Sequence, residues 1–198
     1  MPPLDLRADV SAVHEDTRTV DLVFATAKAD VLRYDWMTGK KFYERLSLDP
    51  AHVRMDRLAS GTAPLLDSHS AYSIANVMGV VAAASLEAKR GLATVRFSKR
   101  TEVEPYYQDV RDKVIRNVSI GYRVYRFEDL PENRDGIPVR QAIEWEPYEI
   151  SMVPMGADAG ARTRSSRDVE TNPCVIVLAR GITDADRMRR LRLAMANA

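Results

Sequence analysis

Apolar and polar residues alternate over long stretches of this chain, the period-two pattern of strands with one buried face. Thr19–Thr26 puts Val20, Leu22 and Phe24 on one side, and Leu92–Ser98 does the same with Ala93, Val95 and Phe97. Val77–Leu86 is apolar at nearly every position, as in a strand covered on both faces, and Ala88-Lys89-Arg90-Gly91 reads as the turn of a hairpin between these two runs. Val118–Phe127, Pro138–Trp145 and Tyr148–Val153 complete the predicted strands, with a turn at Asn133-Arg134-Asp135-Gly136. Two segments break the alternation. Asp49-Pro50 caps a helix expected to run to about Ser60. A second helix starts near Pro105, where Val103, Tyr106, Tyr107, Val110 and Val114 form an apolar stripe; Arg116 falls in its last turn and Asn117 ends it. Many short strands and few helices predict a mainly β fold with some α, a closed or nearly closed β-barrel surrounded by helices.

Composition limits the classes that fit. The chain has 198 residues, 45% hydrophobic and 29% charged, with a formal net charge of +1. That is too apolar and too neutral for disorder, and nucleic-acid binding is not expected without a basic excess. No apolar run is long enough for a membrane helix, and Met1-Pro2-Pro3-Leu4-Asp5 does not open a signal peptide. A single cysteine, Cys174, excludes an intrachain disulfide, and with only His14, His52 and His69 beside it no metal or cofactor is expected. The charge is unevenly spread. Residues 161–198 carry eight arginines against four acids, so this segment holds +4 and residues 1–160 hold −3. A Gly- and Ser-containing stretch at Pro154–Arg167 marks the boundary between a body, 1–160, and a basic tail, 161–198, with a short helix at Thr183–Ala196.

Three residues carry the candidate chemistry. Ser119 stands at the start of a strand with Gly121 on its own face, where the missing side chain leaves room to approach the hydroxyl; the bland alternative is a serine that satisfies a backbone group at a helix–strand junction. His69 ends the run Pro64-Leu65-Leu66-Asp67-Ser68-His69 and is the natural base; His14 and His52 read as surface residues. Glu149 shares a strand face with Ser151 and is the best candidate to orient the ring, with Asp67 and Glu146 as rivals.

Taken together, these stretches resemble the prohead (capsid maturation) proteases of tailed bacteriophages. The resemblance runs over roughly residues 17–160, through Leu65–His69, Val77–Val80, Gly91–Phe97, Asp109–Asp112, Val118–Tyr122 and Trp145–Val153. One departure is Ser70, where many members follow the histidine with aspartate. The resemblance implies a serine endopeptidase with a fold related to the herpesvirus assemblins. Its histidine falls on His69, its serine on Ser119 and its third member on Glu149. It also implies scaffold and major capsid protein as substrates, cleavage of the chain itself, and self-association as a homodimer or within the procapsid. The location it implies is the phage procapsid in the bacterial cytoplasm. Two other readings stand beside it: an inactive capsid-associated structural or scaffolding module of the same fold, and a β-barrel ligand-binding domain in which Ser119 and His69 are incidental.

Overall fold

The computed structural model describes residues 9–156 except 28 and 88, and the backbone of 175–178. The chain forms one mixed sheet. Its strands are β1 (Asp9–His14), β2 (Thr19–Thr26), β3 (Asp30–Asp35), β4 (Lys40–Leu46), β5 (Pro64–Asp67), β6 (Val77–Glu87), β7 (Arg90–Phe97), β8 (Val118–Arg134), β9 (Ile137–Met152) and β10 (Val175–Leu178). They lie in the order β1-β2-β7-β6-β5-β9-β4-β3, with β8 antiparallel to β9 and β10 parallel to β8.

β9 organises the sheet. Along one edge it pairs with β8 for almost its whole length. Along the other it takes two parallel partners in succession, β4 at Val139–Ala142 and β5 at Ile150–Met152. The Asp135-Gly136 turn between β8 and β9 has both residues at positive φ, 53° and 74°, the two-residue hairpin geometry that Asp-Gly favours. Pro147 does not divide this strand into the two that the sequence suggests. Gly121 pairs with Glu149 and Tyr122 with Pro147, so Tyr148 has no opposite number, and this bulge absorbs the proline.

The expected closed barrel is not formed. β1 and β3 end the sheet, each with a single strand partner among the described residues, and no ladder joins them. A hydrogen bond from Val10 N–H to Arg116 C=O (3.3 Å) touches the approach to β8 without extending into pairing. Nor do helices surround the sheet. Among the described residues there are α1 (Asp56–Ala59), α2 (Glu104–Arg111) and two 3-10 turns, Pro50–His52 and Ile74–Asn76. The helix expected over 50–60 is broken because Val53 bridges to Trp145 and Arg54 N–H donates to Trp145 C=O (2.8 Å). Asp49 does cap, but it caps the 3-10 turn, accepting from Ala51 N–H at 2.9 Å. α2 stops earlier than its stripe implies: Lys113 turns left-handed at φ 61° and the last carbonyls are taken by residues 112–115. Arg116 and Asn117 therefore lie beyond the helix, in the approach to β8.

Val20, Leu22, Phe24, Ala93, Val95 and Phe97 face inward as the alternation requires. β6 departs from expectation. Only Met78 and Val81 are buried, and its second half is largely exposed because the β6–β7 hairpin is covered on one face alone. The core gathers Leu58 of α1 and Tyr107 and Val110 of α2 against these strands and Trp145. Trp145 is fully buried, with its indole N–H donating to Ser47 C=O at 2.7 Å. The expected tail helix at 183–196 lies outside the described residues.

Candidate active site

Each of the three candidate side chains is delivered by a different strand or strand end. Ser119 is on β8, directly opposite Ser151 of β9, and Gly121 is directly opposite Glu149. These four positions share one face of the β8–β9 ladder, the face away from Ile150 and Met152. His69 arrives two residues after β5, which pairs parallel with the same end of β9.

A tight turn aims the ring. Ser68 and His69 both hold positive φ, 49° and 61°, a conformation that costs an L residue about 1–2 kcal/mol. Hydrogen bonds hold the turn against that cost: Ser68 N–H to Met152 C=O (3.0 Å), Ser70 N–H to Asp67 C=O (2.8 Å) and His69 N–H to Ser151 Oγ (3.0 Å). Ser70, the departure from the family pattern, accepts from Asn76 Nδ2 at 2.6 Å and so ties the turn to the 3-10 segment that follows. The Arg100 guanidinium donates to the carbonyls of Ile74 and Ala75 (3.3 and 3.4 Å) and also reaches Val77 C=O.

The turn brings the three side chains into line. His69 Nε2 lies 2.8 Å from Ser119 Oγ, and His69 Nδ1 lies 2.6 Å from Glu149 Oε1. The carboxylate is 5% exposed, the imidazole 43% exposed, and the serine half-buried. Facing a carboxylate, Nδ1 carries the proton and donates it, which leaves the Nε2 lone pair to accept from the serine hydroxyl. The rival carboxylates are engaged elsewhere. Asp67 Oδ1 accepts from Ser68 Oγ–H (2.9 Å), and Glu146 Oε2 accepts from the Tyr125 hydroxyl (2.6 Å). His14 pairs with Asp21 (2.8 Å) and His52 with Ser47 Oγ (2.7 Å), both away from Ser119.

Gly121 has a different use from the one its position suggested. A Cβ there would lie 2.1 Å from Glu149 Oε1, so the vacant space belongs to the carboxylate and not to an approaching molecule. Next along β8, the Tyr122 hydroxyl donates to Glu44 and accepts from Arg33 Nη2 (2.8 Å). Burial, reinforced by the Glu44 charge, pushes that phenol far above the usual tyrosine range. Ser151 is the contact that sequence reading left without a role, although alternation had already put it on the Glu149 face. Its hydroxyl donates to Glu149 Oε2 at 2.7 Å. Among the described residues, no group of three or more His, Cys, Asp or Glu side chains is arranged to hold a metal ion.

Residues 57–173, more than half of the chain and including Ser119, His69 and Glu149, match the sequence model of the caudovirus prohead serine proteases. The chain belongs to this family. A relative of this chain, from Halomonas phage phiHAP-1, bears the name major capsid protein; the two are 38% identical over 126 residues, 63% of this chain. The matched region is only 20% of that relative's length. No solved structure matches the chain. Among the described residues, no helix is long and apolar enough to cross a membrane.

Proposed function

We propose that this chain is a serine endopeptidase that cleaves scaffold or major capsid precursor protein, and its own chain, inside the procapsid during head maturation. Ser119 is the nucleophile, His69 the general base and acid, and Glu149 the group that orients the ring. The observation that carries this reading is the unbroken line of contacts from Ser119 Oγ through His69 to Glu149, at 2.8 and 2.6 Å, in a chain of this family.

The chemistry follows from the line. As Ser119 Oγ bonds to the peptide carbonyl carbon, its proton passes to His69 Nε2. The imidazolium formed is stabilised by the Glu149 carboxylate across Nδ1–H. The same proton then goes to the departing amine as the C–N bond breaks, leaving an acyl ester on Ser119. Water, deprotonated by His69, releases the acid and restores the serine. Burial of Glu149 behind the ring strengthens its hold on the imidazolium, while the more exposed serine remains open to a polypeptide.

The decisive experiment is co-expression of wild-type and Ser119→Ala chains with the adjacent capsid genes, followed by mass analysis. Fragments of capsid or scaffold precursor are expected only with the wild type, together with labelling of Ser119 by a fluorophosphonate probe. Equal cleavage by Ser119→Ala would overturn the proposal. The name of the Halomonas phage relative favours a second reading, a structural module of the capsid without catalysis. Intact precursors and an unlabelled Ser119 in assembled particles would favour it. The basic segment 161–198 serves in the first reading as a removable extension, and a mass difference between wild-type and Ser119→Ala chains would locate the cut.

A further inference from the structure

We infer that Ser151 is a positioning residue of this site: its hydroxyl couples the Glu149 carboxylate to the backbone that carries His69. The inference rests on the protease reading above.

Ser151 has no exposed surface, and it is held from both sides. β5 pairs with it through Leu66, and β8 through Ser119. Its hydroxyl makes two contacts of opposite sense. The Oγ–H donates to Glu149 Oε2 at 2.7 Å, and the oxygen accepts from His69 N–H at 3.0 Å. A serine hydroxyl has one proton and two lone pairs, so once the proton is committed to the carboxylate, the lone pair toward His69 is set. Glu149 thus has a different partner on each oxygen, the ring on Oε1 and Ser151 on Oε2, and among the described residues Oε2 has no other hydrogen-bond donor.

Two orientations depend on this one group. A carboxylate bonded on both oxygens resists rotation away from the ring. A main-chain N–H in a left-handed turn, with φ 61° at His69, has its acceptor inside the sheet instead of in solvent. The two ends of the Glu149–His69 contact are therefore braced by the same atom. A serine present only to fill the core would need neither bond, and at this position alanine would fill the sheet nearly as well. With alanine, a buried carboxylate oxygen and an amide would both lose their partner. The expected consequence is a looser ring and a slower attack by Ser119, not a change in where a polypeptide binds.

The test compares Ser151→Ala with Ser151→Thr, which keeps the hydroxyl, in the full chain. Ser151→Cys, close in volume with a weak donor, stands in for Ser151→Ala if alanine does not fold. Three readings are taken: kcat and KM for precursor cleavage, the rate of fluorophosphonate labelling, and the proton NMR resonance of the His69 Nδ1–H. Ser151→Ala is expected to lower kcat and labelling by roughly 10- to 100-fold, with KM within about twofold, and to broaden or displace the Nδ1–H resonance. Ser151→Thr is expected to restore both. Unchanged kcat and resonance in Ser151→Ala would overturn the inference. So would equal losses in Ser151→Ala and Ser151→Thr that follow a shared fall in melting temperature. The NMR arm is repeated in the Ser119→Ala background, where turnover plays no part. A wild type that neither cleaves nor labels would sink the protease reading, while this arm would still decide whether Ser151 sets the ring.

Discussion

A methyl group added at Gly121 would lie 2.1 Å from Glu149 Oε1 and 2.7 Å from its Cγ and Cδ. Something must move, and the neighbour most easily moved is the carboxylate. Gly121→Ala is expected to cut Ser119 labelling by about 100-fold through displacement of Glu149, at a stability cost of about 1–3 kcal/mol. Labelling kinetics and urea unfolding on the same preparation check both; wild-type labelling would show that the carboxylate retreats without consequence. Glu149→Gln keeps the shape and loses the charge, so it is expected to slow labelling while leaving some activity above Ser119→Ala. At this scale the sequence was informative about faces and silent about partners. Alternation put Glu149 and Ser151 together, and Ser119 with Gly121. It did not show that the two pairs oppose one another, because that register depends on several irregularities along β8 and β9, the bulge at Tyr148 among them.

The elements deliver these residues through pairings that no local pattern encodes. β2, β6 and β7, whose runs are long and regular, were legible. α1 was not, because Val53 and Arg54 are drawn to the backbone of Trp145, a partner more than ninety positions away in the chain. β3 and β4 are rich in charged residues and give little alternation to read. The segment after His69 is held by contacts from outside itself. Arg100 spans to the carbonyls of Ile74 and Ala75, while Tyr72 and Ile74 remain exposed. Arg100→Ala is therefore expected to speed amide hydrogen exchange over residues 70–76 and to slow labelling several-fold, with exchange in β6 and β7 unchanged. Exchange measured by mass spectrometry checks this, and an unaltered 70–76 segment would mean that the Ser70–Asn76 contact suffices.

For the molecule as a whole, the distribution of carboxylates sets its tolerance of acid. The Thr94 hydroxyl, then His14, hold Asp21 below the usual carboxylate range. Thr38 does the same for Asp35, and Gln108, then Arg18, for Glu104. Each group binds its proton less tightly when folded than when unfolded. Its contribution is therefore complete above the ordinary carboxylate pKa near ~4 and is lost as the pH falls through the folded value. Urea midpoints are expected to hold from neutral pH down to about 5 and to drop below about 4; a midpoint flat to pH 3 would contradict this. The sheet's openness was not legible in the sequence, since alternation reports that a strand has a buried face and not whether the last strand meets the first.

The three side chains of the candidate site are also far apart along the chain, with 50 positions between His69 and Ser119 and 80 between His69 and Glu149. They meet only when β9 has joined β5 and β8. During synthesis the histidine and the serine leave the ribosome first, with no carboxylate behind the ring and no strand to hold the turn. On the proposed mechanism a nascent chain carries its chemistry in pieces, and the order of translation itself delays any cutting until the last strand of the site is in place.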